Sequence, residues 1–154
     1  MRHIVLTLFL ALLLQSPGLA QPQPVDLWGG LKAGMTKREV KAVRKRSKVY
    51  LTDNCRVRMK TVFDGGRLFA VRLTSYWTLR YNACGTQVYQ ALERKYGRPI
   101  SSQSREKISL YGLNTVREFH WRDGDRSINL RLFDTGRLAE LSYSLAVGGG
   151  LNDL

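Results

Sequence analysis

Arg56-Val57-Arg58-Met59-Lys60-Thr61-Val62-Phe63-Asp64-Gly65-Gly66-Arg67-Leu68-Phe69-Ala70-Val71-Arg72-Leu73 is the stretch on which the fold turns. Its first half alternates. Val57, Met59, Thr61 and Phe63 fall on one side and Arg56, Arg58 and Lys60 on the other, the period-two pattern of a strand with one dry face and one wet face. Asp64-Gly65-Gly66 supplies hairpin chemistry, because glycine enters left-handed backbone conformations without a Cβ clash. The return strand is then expected to place Phe69, Val71 and Leu73 on the core side and Arg72 among the outward cations. One hairpin thus predicts both a core and a concentrated positive surface.

Upstream, Met35-Thr36-Lys37-Arg38-Glu39-Val40 is a helix opening. Thr36 can cap the first turn, Glu39 can reach back to it, and Met35 can staple against Val40. The helix runs to about Arg46. Downstream, Val88, Leu92 and Tyr96 form an i, i+4, i+8 stripe on a second helix from about Gly85 to Tyr96, ended by Gly97. Strand-like runs follow at 107–111, 115–121, 127–133 and 137–145, joined by turn-rich connections. Phe133-Asp134-Thr135-Gly136-Arg137-Leu138 echoes Phe63-Asp64-Gly65-Gly66-Arg67-Leu68, and a helix precedes each hairpin. The resulting expectation is an α+β fold: a duplicated helix-plus-antiparallel-hairpin unit, with repeats at 27–80 and 81–147 and helices packed on one face of an antiparallel sheet.

Leu31-Lys32-Ala33-Gly34-Met35-Thr36-Lys37-Arg38-Glu39-Val40 resembles the G-M-T-x-x-E-V helix opening of small bacterial envelope domains of the SmpA/OmlA (BamE-like) type. Tandem helix-plus-sheet copies bridged by a disulfide are also similar to the beta-lactamase-inhibitor-protein-like fold. The resemblance implies a non-catalytic envelope protein that binds other proteins.

The N-terminal residues set the compartment. Arg2, an apolar run from Ile4 to Leu14, and small residues at Gly18 and Ala20 make the three-part pattern of a cleavable secretory signal over 1–20. Eleven or so apolar residues fall short of the roughly 20 that cross a bilayer as a helix, so no transmembrane anchor is expected. Gln21-Pro22-Gln23-Pro24 opens an extended leader at 21–26, because proline restricts itself and its predecessor. Residues 27–147 are then one domain and 148–154 a flexible tail. The chain has two cysteines, Cys55 and Cys84; in an exported protein this even count predicts a disulfide, structural in role. Periplasmic or secreted location follows.

Twenty-five Lys and Arg against twelve Asp and Glu give a formal net charge of +13, a balance that favours anionic partners. Arg56, Arg58, Lys60 and Arg72 share one side of the first hairpin, and Arg131 takes the equivalent side of the second. Arginine's planar fork suits carboxylates and phosphates, and Tyr76 would add an aromatic group to that patch. Export makes nucleic acid an unexpected ligand. The expected partner is an acidic protein or an anionic envelope polymer, docked on a basic sheet face.

Catalytic signals are few. Glu118 and His120 stand two apart on a strand and so share a face, which permits a general base oriented by a carboxylate. They define the alternative reading, a small hydrolase; a third is an inhibitor of an envelope enzyme. Ser104-Arg105-Glu106-Lys107 matches S-x-x-K, yet it precedes a strand where enzymes with that motif need a helix. Asp123-Gly124-Asp125 is a polar turn, short of a calcium loop. No phosphate-cradling glycine motif is present, and neither cofactor nor metal is expected.

Overall fold

A computed structural model describes residues 24–44, 49–52, 55–76, 84–109, 112–133 and 138–146. The signal segment 1–20, the first half of the leader (21–23) and the tail 148–154 lie outside these residues. The elements in chain order are β1 (Asp26–Trp28), β2 (Leu31–Lys32), α1 (Lys37–Val43), β3 (Val49–Tyr50), β4 (Arg56–Asp64), β5 (Arg67–Ser75), α2 (Cys84–Tyr96), β6 (Ser101–Ser109), β7 (Gly112–Asp123), β8 (Arg126–Phe133) and β9 (Leu138–Leu145). Seven strands form one antiparallel sheet in the order β3-β4-β5-β9-β8-β7-β6, and β1 and β2 make a separate hairpin.

Alternation decides which side of the sheet is dry. Val57, Val71, Leu73, Ile128, Leu130, Leu132, Ala139, Leu141 and Trp121 are all buried and belong to a single apolar cluster. Because antiparallel partners share a face, their registers align them across four strands: Leu73 opposite Leu141, Leu141 opposite Leu130, Ile128 opposite Trp121. Leu27 and Leu31 from the small hairpin, Val40 from α1, and Val88 and Leu92 from α2 complete the cluster. Both helices therefore cover the same side. The opposite side of the sheet carries the polar members of the alternation.

Local sequence explains the helix ends. Thr36 accepts from the Glu39 backbone N–H while the Thr36 N–H donates to the Glu39 carboxylate at 2.7 Å, a complete capping box. Bonding to Thr36 lowers the Glu39 pKa below the ordinary carboxylate range. At the far end of α2, Gly97 takes φ 78° and donates to the Glu93 carbonyl at 2.9 Å, a left-handed cap that a Cβ would strain.

The expected α+β duplication is not what forms. Among the described residues the protein is mostly β, and the two helices there, of seven and thirteen residues, serve one continuous sheet instead of heading two like units. Helix α2 precedes four long strands, whereas α1 precedes a two-residue strand and a hairpin. The echoed hairpins also differ in phase. A bulge between Val62 and Phe63 sets Phe63 opposite Leu68 on the core side, and Leu68 is 1% exposed. In the second hairpin Leu132 and Ala139 face the core, so their neighbours Phe133 and Leu138 point the other way. A shared turn composition produced the resemblance between the two hairpins.

That bulge also corrects the return strand. Val71 and Leu73 are core residues as expected, but Phe69 lies on the open side, beside Ala70 and Arg72, and Leu68 takes the core position. A one-residue shift exchanges the faces of a strand.

Cys55 and Cys84 form the disulfide, with Cα atoms 5.1 Å apart. It ties the start of β4 to the first turn of α2, and both residues are buried at 1% exposure.

Candidate functional site

The open side of the sheet can be read row by row from the strand registers. One row runs Arg58, Thr74, Glu140, Arg131, Glu118, Gln103 across β4, β5, β9, β8, β7 and β6. The next runs Lys60, Arg72, Ser142, Asn129, His120, Ser101. Arg56, Arg58, Lys60, Arg72 and Arg131 therefore do occupy one face, joined there by Glu118 and His120.

The face divides electrostatically. At its centre the two arginines are neutralised: Arg131 Nε lies 3.1 Å from Glu118 Oε1, and Glu140 Oε1 stands 3.8 Å from Arg131 Nη1 and 3.6 Å from Arg72 Nε. The last separation is attractive but beyond hydrogen-bond reach, and Arg72 Nε is a buried donor left without a partner. Toward β4 the balance is different. Arg56, Arg58 and Lys60 are exposed and make no ion pair among the described residues. Arg56 and Arg58 stack on the same Tyr76 ring, at 5.1 and 5.4 Å from its centroid. Lys60 sits directly opposite Arg72, and like charges in that position repel.

Glu140 was the residue sequence reasoning missed. Its signal was present: Ala139, Leu141 and Tyr143 alternate as buried residues on β9, which leaves Glu140 and Ser142 outward. Ala70, Ser142 and Ser144, all small, floor a shallow depression between Phe69 and the paired arginines. Its volume of about 70 Å³ has room for about two waters.

Glu118 and His120 share the face without pairing. The Glu118 carboxylate is held by Arg131, and no hydrogen bond joins it to His120 among the described residues. Partial burial, followed by the nearby Arg122 cation, pushes the His120 pKa below the ordinary histidine range. A base held by a carboxylate would shift upward instead. The expected NMR titration of the His120 ring therefore has a midpoint below that of a free histidine. By the same sign, the neutral ring's contribution to stability is present above the unfolded-state pKa and is lost as pH falls through the folded one. A midpoint above the free value would restore the Glu118–His120 pair as a catalytic candidate.

Ser104 lies in β6, a strand, so the S-x-x-K match has no helical turn to act on. Asp123-Gly124-Asp125 spans the β7–β8 hairpin turn, with Asp123 ion-paired to Arg126. Among the described residues no cluster of three His, Cys, Asp or Glu could hold a metal, and no helix is long and apolar enough to cross a membrane. Compared with family models, with curated proteins and with solved structures, the chain matches none of them.

Proposed function

We propose that this chain is an exported, non-catalytic binding module that docks an anionic partner, an acidic protein foremost, on the β4 side of its open sheet face. The observation that carries the reading is the exposed series Arg56, Arg58 and Lys60. Residues two apart on a strand project at intervals of about 6.8 Å, so the three cations present a regular ladder with Tyr76 at one end. An anion laid along it would relieve repulsion between neighbouring cations. The buried disulfide supports the exported part of the reading, as does the signal-like run at 1–20. The likeness of residues 31–40 to SmpA/OmlA (BamE-like) envelope domains supports a partner-binding role.

Arg72 and Arg131 enter this reading as scaffold more than as contacts, because Glu140 and Glu118 already engage them. Titration with immobilised poly-glutamate, compared with polyphosphate, tests the assignment. Replacing Arg56, Arg58 and Lys60 by glutamate is expected to weaken poly-glutamate binding by about tenfold or more and to flatten its salt dependence. Arg131→Gln should change it by less than about threefold, as expected of a charge already paired. Binding that survives the triple reversal at every salt concentration would end the proposal. A preference for polyphosphate that the triple reversal abolishes would move the partner from acidic protein to phosphate-bearing polymer.

A further inference from the structure

A second candidate site lies on the other side of the sheet, under the C-terminal half of α2. There the helix, the β1–β2 hairpin, β3 and β9 meet around a cavity of about 180 Å³. The cavity opens to solvent beside Tyr50, and a volume of about 150 Å³ is enough to hold a benzene ring. This one has the dimensions of a single six-membered ring.

Its lining specifies more than size. Trp28, Tyr50 and Tyr96 line it from three different elements, together with Leu92, Leu141 and Tyr143. Tyr50 is 51% exposed, so one aromatic wall stands in water where a packed core would have enclosed it. Cations gather at the same place. Lys95 lines the cavity and holds its Nζ 5.1 Å from the Tyr96 ring centroid, with no ion pair among the described residues. The Arg126 guanidinium sits 5.6 Å from the Tyr96 ring and 5.7 Å from Tyr143, but Asp123 neutralises it. Lys95 is therefore the uncompensated charge.

We propose that this cavity binds a small aromatic acid, its ring between Trp28, Tyr50 and Tyr96 and its carboxylate on Lys95. A sugar acid has the same charge and ring size, but the Tyr96 phenol already accepts from Arg126, the rest of the lining is largely apolar beyond the Tyr50 and Tyr143 phenols and the Trp28 indole, and unpaired hydroxyls are costly to bury. An uncharged ring would fill the apolar space and leave Lys95 unused. The site is separate from the basic open face, and its occupancy does not depend on the function proposed for that face.

The test is calorimetric and ligand-observed NMR titration of the full-length oxidised chain with phenylacetate, benzyl alcohol and glucuronate. Phenylacetate is expected to bind saturably with Kd on the order of 1 mM, consistent with so small a ligand. Benzyl alcohol should bind about tenfold more weakly for want of the charge-assisted contact, and glucuronate should show no saturable binding. Lys95→Gln should erase the advantage of phenylacetate while leaving benzyl alcohol unchanged; Lys95 is exposed, so this variant keeps its fold. Ala91→Phe, which fills the cavity from α2, should abolish both. Equal affinity for the acid and the alcohol, phenylacetate binding indifferent to Lys95→Gln, or no saturable binding would overturn the assignment. The Arg58 and Lys60 reversals, neither of them paired to a lining residue, should leave phenylacetate binding intact, so failure of one site is separable from failure of the other.

Discussion

Replacing Cys55 and Cys84 together by alanine is expected to destabilise the protein by about 3 to 4 kcal/mol. The bridge spans 29 residues of sequence, and closing a loop of that length removes roughly this much entropy from the unfolded chain at 25 °C. For a domain of this size the loss corresponds to a fall in Tm of about 10 to 20 °C. The folded state gives little of it back. Both side chains are 1% exposed, and their replacements leave small voids at the junction of β4 and α2 where nothing else covalent holds strand to helix. Thermal and urea unfolding of the wild type, with and without reductant, and of the double variant would measure it. Reduced wild type and double variant should agree within about 1 kcal/mol, and a loss below about 1 kcal/mol would show that packing alone positions α2. The outcome bears on compartment as well as stability, because a fold that depends on this bond is suited to an oxidising environment.

The disulfide was readable from the cysteine count, and other features were readable wherever one residue pattern had one physical outcome. Thr36 and Glu39 form a capping box there, and the Val88–Leu92–Tyr96 stripe closed by Gly97 reads as a capped helix. The alternation from Val57 to Phe63 gave β4 and the cationic side of the sheet. What escaped the sequence lacked such a signal. Ser101 to Glu106 is polar throughout and exposed on both faces; β6 exists because its backbone pairs with β7 along nine residues, and side-chain periodicity cannot report that. Leu27 and Leu31 are among the most buried residues, yet strands of three and two residues are too short to show a period. Phe69 was assigned to the core by strict alternation and displaced by a bulge that no residue type announces. The partial neutralisation of Arg72 and Arg131 is a long-range effect. Glu140 faces outward by its own strand's pattern, but that it falls beside both arginines depends on β9 inserting between β5 and β8, a matter of topology. Five cations on one face were legible; which of them remain unpaired was not.

The largest single-site effect is expected at Trp121. Its side chain is 1% exposed and stands opposite Ile128 on the core side of β7, with Tyr89 of α2 at 5.9 Å and Phe119 at 6.1 Å between ring centroids. Its indole N–H donates to the Gly97 carbonyl at 2.8 Å, so one residue fastens the sheet to the residue that terminates α2. Trp121→Ala removes that bond and the largest fully buried side chain, and should cost about 3 to 5 kcal/mol. Against a total stability of about 5 to 15 kcal/mol for a domain, this brings the chain close to unfolding at ordinary temperature. Trp121→Phe separates the two contributions. It keeps most of the ring packing and leaves the Gly97 carbonyl without its donor, for a cost of about 1 to 3 kcal/mol. Urea unfolding should show both variants with lower midpoints and an unchanged dependence on denaturant, because neither alters how much surface the chain exposes on unfolding. Poly-glutamate binding by the folded Trp121→Phe protein should equal that of the wild type, since Trp121 points away from Arg56, Arg58 and Lys60. Loss of binding in a variant that remains folded would mean that the cationic ladder depends on how α2 is seated, and would tie the two sides of the sheet together mechanically.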